Sequence, residues 1–95
     1  MAFSFPLPAG LVAQRWKAKI RDRERNEPPH VTILQRTRAW RIDLRTWLFL
    51  DKEPDPNDVP EELLGELKRQ SALLRRTWDK IYPENPVVSK ERSDD

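Results

Sequence analysis

Residues 11–21 read LVAQRWKAKIR, and this stretch decides the fold class. From its midpoint, apolar and basic residues alternate, and the apolar side carries Trp16, Ala18 and Ile20. The opposite side carries four cations: Arg15, Lys17, Lys19 and Arg21. Successive side chains of a strand point to opposite faces, so a period of two is typical of a strand with one buried face. The stretch therefore predicts a β-strand over residues 11–21 with a basic outer side.

Two segments further along predict partners for this strand. Residues 30–35 (HVTILQ) are rich in β-branched side chains, which favour strands, and residues 36–38 form the following turn. Residues 39–44 alternate again, with Trp40, Ile42 and Leu44 on one side. The apolar run at residues 45–50 (RTWLFL) is too short for its period to decide between an extension of the third strand, a fourth strand and a helical turn.

The second half of the chain predicts a helix. Asp58 followed three residues later by Glu61 resembles a capping box after the acidic loop at residues 51–58. Steps of three, four and seven then place these apolar residues on one helical face: Leu63, Leu64, Leu67, Leu74, Trp78 and Ile81. The predicted helix runs over residues 59–82 and ends at Pro83, with Gly65 as its weak point.

The predicted fold is α+β: a small antiparallel sheet of three or four strands packed against one long C-terminal helix. An N-terminal arm (1–10) precedes the single domain (11–83), and a polar tail (84–95) follows it. The predicted core combines the apolar side of the sheet with the helical stripe: Trp16, Ala18, Ile20, Val31, Ile33, Trp40, Ile42, Leu44, Leu64, Leu67, Leu74, Trp78 and Ile81.

Composition excludes several classes of protein. The 95 residues, of which 36% are charged, suffice for one small domain. With no cysteine, disulfide scaffolds, thiol catalysis and cysteine zinc sites are excluded, and two glycines cannot build a glycine-rich phosphate loop. No apolar run approaches a membrane span, and the N-terminus lacks a secretory signal. We therefore expect a cytoplasmic protein that uses no membrane, cofactor or metal.

The net charge of +2 hides an uneven distribution. Residues 1–50 hold ten basic and four acidic residues, a net of +6, whereas residues 51–95 hold eight and twelve, a net of −4. Alternate residues on a strand lie about 6.5–7 Å apart, close to the phosphate spacing of an extended nucleic-acid strand. The predicted nucleic-acid contacts are Arg15, Lys17, Lys19, Arg21, Arg36, Arg38 and Arg41, with Arg23 and Arg25 continuing the stripe. The alternative is a solvated face neutralised by the chain's own acids.

Two single residues also carry hypotheses. His30 is the only histidine, follows two prolines, and has the pKa range of a general acid or base, with nearby arginines to stabilise a phosphoryl transition state. The alternative is a turn histidine that only hydrogen-bonds its loop, and one histidine does not make a zinc site. Trp47 is the tryptophan outside the predicted apolar faces, so it is the candidate for a partner contact.

A longer pattern carries a resemblance. The segment NEPPHVTI (26–33) precedes a tryptophan-bearing strand and a proline-punctuated loop, and LLRRTWDKIYPENP (73–86) follows in the helix. Over residues 11–86 this resembles a small, mostly prokaryotic family of unassigned function, domain of unknown function 4160. That family's second histidine is replaced here by Thr32. The resemblance implies a component of a two-gene cassette of toxin–antitoxin type, with a protein partner encoded beside it.

Three functional hypotheses follow. The leading one is a small cytoplasmic binding module, not an enzyme, that contacts a protein partner, RNA or DNA through a basic sheet face. The second is a metal-independent ribonuclease-type toxin that uses His30. The third is a purely structural protein–protein adaptor that uses Trp47 and an uncovered sheet face. Open sheet edges also favour a homodimer.

Overall fold

The computed structural model describes residues 2–21 and 27–87 and has the predicted α+β architecture. A four-stranded antiparallel sheet lies against short helices. In chain order the elements are β1 (Ala2–Phe5), α1 (Ala9–Ala13), β2 (Trp16–Arg21), β3 (His30–Gln35), β4 (Arg38–Asp43), a 3₁₀ turn (Pro56–Asp58), α2 (Glu61–Arg69) and α3 (Ser71–Ile81).

The strands lie in sequence order, and their register aligns the apolar residues on one face. Ala18 of β2 pairs with Phe5 of β1 and with Ile33 of β3, and Ile33 pairs in turn with Trp40 of β4. All four are buried. A slip of one residue would move this row to solvent, so the hydrophobic pattern fixes the register.

The first predicted strand is shorter than the sequence indicates. Strand β2 begins at Trp16, and Leu11–Ala13 belong to helix α1, where Leu11 is buried. The chain reverses through a turn in which the Arg15 N–H donates to the Val12 carbonyl at 2.9 Å. Leu11 thus packs into the core from helix α1, and residues 11–13 do not extend the strand.

The N-terminal residues supply a strand that the sequence analysis assigned to an arm. Ala2–Phe5 pair with β2 along the sheet edge, with Phe3 opposite Ile20 and Phe5 opposite Ala18. The Phe-Ser-Phe alternation at residues 3–5 was a period-two signal, although a short one. Pro6 follows it directly, and proline cannot donate to a ladder, so the strand ends there.

The single long C-terminal helix is absent, and two shorter helices take its place. They meet at Gln70, whose φ and ψ of −93° and 14° fall outside the helical region. The Gln70 side-chain amide donates to the Pro6 carbonyl at 2.8 Å and to Glu66 at 3.0 Å. The tie to Pro6 is tertiary, so no local helix breaker marks the break. Leu67 and Leu74 lie two helical turns apart across it, and the apolar period therefore continues.

The start of α2 also differs from the prediction. Pro60 occupies the N-cap position and no side chain caps the helix, so the expected capping box of Asp58 and Glu61 does not form. Asp58 instead pairs with Arg38 of β4 at 2.9 Å. The Asp55 carboxylate caps the preceding 3₁₀ turn by accepting from the Asn57 N–H at 2.9 Å.

The segment at residues 44–50 forms a turn that folds back along β4. A single bridge joins Ile42 to Phe49, and the Leu50 N–H donates to the Arg41 carbonyl at 2.8 Å. The Asp43 carboxylate holds the turn by accepting from the backbone N–H groups of Arg45 and Thr46. The Trp47 N–H donates to the Asp43 carbonyl at 2.8 Å, so the segment begins with one helical turn and then forms a single bridge, not a full fourth strand.

The core lies between the inner sheet face and the two C-terminal helices. Every predicted core residue is buried except Leu64 and Ile81, which are partly buried against it. The structure adds six buried apolar residues that the predicted core did not include, although Leu63 was on the predicted helical face: Phe5, Leu11, Val59, Leu63, Tyr82 and Val87. Val87 belongs to the segment assigned to the polar tail, and residues 88–95 of that tail lie outside the described part of the chain.

Candidate nucleic-acid interface

Strand β2 places its basic residues on the outer face of the sheet because its apolar residues occupy the inner face. An open groove there is lined by Arg15, Lys17, Lys19 and Arg36. Leu34 of β3, which pairs with Lys17, completes the lining. The groove, here called the basic groove, has a volume of about 390 Å³, and no acidic residue among the described ones lines it.

The cations of this face have no counter-ion among the described residues. The ion pairs among the described residues involve other cations. Five basic residues take part in none of these pairs: Arg15, Lys17, Lys19, Arg21 and Arg36. We call these five the unpaired cations. Like charges at this spacing repel each other, so the row produces a positive field that an external anion would neutralise.

Two of the unpaired cations are held by an unusual backbone. Arg15 has a φ of 74° and Arg36 a φ of 56°, both in the left-handed region that favours glycine. Arg36 is the first central residue of the β3–β4 hairpin turn, where a type II′ turn usually has glycine. Trp16 pairs with Gln35, and Arg15 and Arg36 are the next residues beyond this pair. The two arginines therefore lie at the same end of the β2–β3 pair. Local strain thus accompanies the charge at one end of the groove.

The other two predicted contacts are engaged within the protein. Arg38 pairs with Asp58 at 2.9 Å and lies 4.9 Å from the centre of the Trp40 ring. Arg41 binds Asp51 through two hydrogen bonds, from Nε at 2.9 Å and from Nη2 at 2.8 Å, and also pairs with Glu27. Two carboxylates neutralise Arg41, so it is less able to bind an external anion than the unpaired cations are.

The Arg41–Asp51 contact shifts both groups toward their charged forms. The hydrogen bond from the Arg41 guanidinium holds the pKa of Asp51 below its ordinary value, against an opposing effect of partial burial. The same hydrogen bond raises the pKa of Arg41. The pair is therefore ionised at neutral pH and acts as a structural tie between β4 and the loop at residue 51.

An apolar pocket adjoins the basic groove. It has a volume of about 530 Å³ and lies between β1, α1 and the start of β2. Its lining consists of Ser4, Phe5, Pro6, Leu7, Val12, Arg15, Trp16, Lys17 and Ala18. Arg15 and Lys17 line both cavities, so the two are adjacent. Sequence reasoning missed this pocket because it depends on β1 and α1, which the alternation did not predict.

His30 lies away from solvent. Its ring is fully buried, its centre lies 5.4 Å from that of the Trp78 ring, and Nδ1 is 2.8 Å from the Pro28 carbonyl oxygen. A general acid or base must come within hydrogen-bond distance of its substrate. The structure therefore places the ring among core side chains at the start of β3, and the acid–base role of His30 stays a prediction.

Trp47 is half-buried and packs against the core from the turn that follows β4. Its backbone φ of 62° is also in the left-handed region. The neighbouring Leu48 is the exposed apolar residue of this turn, with 66% of its surface accessible. The exposed apolar surface here thus belongs to a residue that the sequence analysis did not single out.

Among residues 2–21 and 27–87, no group of three or more histidines and carboxylates could hold a metal ion, and no helix has the length and apolar character needed to cross a bilayer. Arg23 and Arg25 of the predicted basic stripe lie outside the described residues.

Comparison with protein-family models, with curated proteins and with solved structures finds no match to this chain. The likeness to domain of unknown function 4160 therefore stays a prediction.

Proposed function

We propose that this protein is a binding module for nucleic acid and that the ligand's phosphates lie along the outer face of the sheet. The observation that carries the proposal is the set of five cations on one face without a counter-ion among the described residues: Arg15, Lys17, Lys19, Arg21 and Arg36.

The spacing of these cations supports a polyanion over a single small anion. Lys17 and Lys19 lie on the same side of β2, so their backbone positions are about 6.5–7 Å apart. Arg21 extends the row in one direction, and Arg15 with Arg36 extends it in the other. A row of this kind follows successive phosphates of one strand, and each neutralised phosphate releases counter-ions.

A solvated basic face is the competing interpretation, and the ion pairs elsewhere in the fold weigh against it. This chain places acids beside Arg38 and Arg41, at distances of 2.9 and 2.8 Å. A sequence with 16 acidic residues could have placed one beside the groove as well. The lining of the groove contains none, which supports a role for the field of these cations outside the molecule.

The test is a titration of a labelled single-stranded oligonucleotide, measured by fluorescence anisotropy at several salt concentrations. For five phosphate contacts, the plot of log affinity against log salt has a slope of about −3.5. The variant Lys17→Glu/Lys19→Glu should bind far more weakly, and the magnitude of its slope should fall by at least about 1.4 because two contacts are lost.

The matched control is Lys68→Glu/Lys80→Glu, which makes the same change in net charge on the exposed surfaces of α2 and α3. This control should retain nearly all of the wild-type affinity. If both double variants lose affinity equally, net charge alone governs binding and the basic groove is not the site. If the wild-type protein binds no oligonucleotide at low salt, the proposed function is wrong.

A further inference from the structure

The apolar pocket beside the basic groove indicates which form of nucleic acid the protein takes. We infer that the pocket receives an unstacked nucleobase, so that the ligand is a single strand and not a duplex. This inference rests on the proposed function, because it assigns the base of a nucleotide whose phosphate lies on the unpaired cations.

The adjacency of the two cavities is the first argument. Arg15 and Lys17 line both the pocket and the groove, so cationic groups stand at their common boundary. A ligand that fits both must carry an anionic group within one sugar's length of a flat apolar group. A nucleotide has this arrangement, and its repeat along a strand matches the row of cations on β2.

The chemistry of the lining is the second argument. The walls are formed mainly by the apolar side chains of Phe5, Pro6, Leu7 and Val12, and no acid is among the lining residues. The volume of about 530 Å³ lies within the ordinary range of small-molecule sites. Apolar walls bind the face of any base, so we expect binding that depends on the presence of a base and little on its identity.

The geometry of a duplex is the third argument. Bases within a duplex are stacked and paired, and they enter a protein pocket only when they are flipped out. A duplex could therefore use the cations of the groove but not the pocket. Single strands present their bases without that cost, so they gain the additional apolar contact.

The experiment compares three labelled ligands of about twelve nucleotides, a length within the range of single-strand sites. They are an oligothymidine strand, an abasic strand with the same number of phosphates, and a duplex. At equal salt, the oligothymidine strand should bind about tenfold or more tightly than the abasic strand. The salt slopes of these two strands should agree because their phosphate contacts are the same.

The variant Val12→Ser tests the pocket directly. Val12 has 55% of its surface exposed, so the substitution removes an apolar wall without opening the core. It should weaken binding of the oligothymidine strand severalfold and leave binding of the abasic strand unchanged. The matched control is Leu48→Ser, an exposed apolar residue that does not line the pocket, and it should change neither.

The outcomes separate this inference from the proposed function. Equal affinity for the oligothymidine and abasic strands, with a steep salt slope for both, overturns the base pocket and leaves phosphate binding in place. Loss of salt-dependent binding to all three ligands overturns both. If Val12→Ser weakens binding to phosphatidylserine vesicles but not to the oligothymidine strand, the pocket serves an acyl chain and the inference is wrong.

Discussion

Arg36 has a strained backbone and a charge without a counter-ion among the described residues. One substitution can separate the effect of the charge from that of the backbone. Glycine adopts a φ of 56° without a steric penalty, so Arg36→Gly should leave the free energy of unfolding unchanged or raise it by up to about 1 kcal/mol. The same change removes one phosphate contact, and the magnitude of the salt slope for a single strand should fall by about 0.7. Urea denaturation and fluorescence anisotropy measure the two effects.

Arg75→Gly provides the control for Arg36→Gly. Arg75 is exposed in the middle of α3, so glycine there should lower the free energy of unfolding by about 1 kcal/mol while affinity stays unchanged. If Arg36→Gly destabilises the protein as Arg75→Gly does and leaves affinity intact, Arg36 has a structural role in the turn.

Asp51 makes stability depend on pH through its contact with Arg41. Its pKa is lowered in the folded protein, so the contact contributes fully above the ordinary pKa of aspartate, about 3.9, and is lost as pH falls through the folded value. Asp51→Asn should lower the free energy of unfolding by about 1 kcal/mol at pH 7. The loss is no larger because both side chains are partly exposed and solvent screens the contact. Glu27 and His30 are the other titratable groups that act on this pair.

The expected signature is a difference between wild type and Asp51→Asn that is constant from pH 7 to about pH 5 and shrinks below about pH 4. Urea denaturation across this range measures it. A difference that stays constant down to pH 2 would show that the aspartate charge does not contribute to the contact.

At the scale of elements, Gly65 in the middle of α2 offers the cleanest test of helix propensity. A Cβ atom built at this position meets nothing within 4 Å, and the residue is exposed. Gly65→Ala should therefore raise the free energy of unfolding by about 1 kcal/mol in urea denaturation. Gly10→Ala is the control: it is equally unobstructed but lies at the start of a five-residue helix, where propensity has less effect. A gain at Gly10 as large as that at Gly65 would contradict this explanation.

Local periodicity predicted the elements whose pattern was long enough. Residues 30–35 match β3 at both ends, and the apolar side of β2 is buried as expected. The break at Gln70 was invisible because its tie to the Pro6 carbonyl is tertiary and the spacing of seven from Leu67 to Leu74 continues across it. Strand β1 was missed because four residues ended by proline give a weak signal.

The sequence predicted only part of the candidate site, because some of its features depend on tertiary contacts. Alternation alone placed Lys17 and Lys19 on the outer face. It could not separate these from Arg41, because the carboxylates that neutralise Arg41 lie ten and fourteen residues away and reach it only in the folded protein. The apolar pocket required β1 and α1, so no pattern in residues 11–21 could indicate it.

At the scale of the whole molecule, hydrogen bonds tie the segment after α3 to the sheet. The Trp78 indole donates to the Asn85 carbonyl at 2.7 Å, and the Asn85 amide donates to the Glu27 carbonyl at 2.8 Å. The Tyr82 hydroxyl donates to the carbonyl of Arg21 at the end of β2. This packing fixes the end of the strand that carries the basic row, on the side of the sheet opposite the groove.

Arg45 is a cation that hydrogen-bonds within the fold and does not line the basic groove. Its guanidinium donates to the carbonyl oxygens of Val87 at 2.7 Å and of Pro86 at 2.6 Å. Arg45→Ala should lower the free energy of unfolding by about 1 kcal/mol in urea denaturation, because charged hydrogen bonds that are partly exposed are lost. Single-strand affinity should stay within about twofold of wild type, since Arg45 does not line the basic groove.

Arg15→Ala removes the same charge from the groove and provides the comparison. Its affinity should fall severalfold, with a salt slope smaller in magnitude by about 0.7, because one phosphate contact is lost. Its free energy of unfolding should not fall as that of Arg45→Ala does, since Arg15 has no side-chain partner among the described residues. If the two variants lose affinity equally, the overall positive field and not the outer face of the sheet determines binding. Under the proposed function, the position of an arginine on the fold, at constant net charge, decides whether that arginine stabilises the chain or binds nucleic acid.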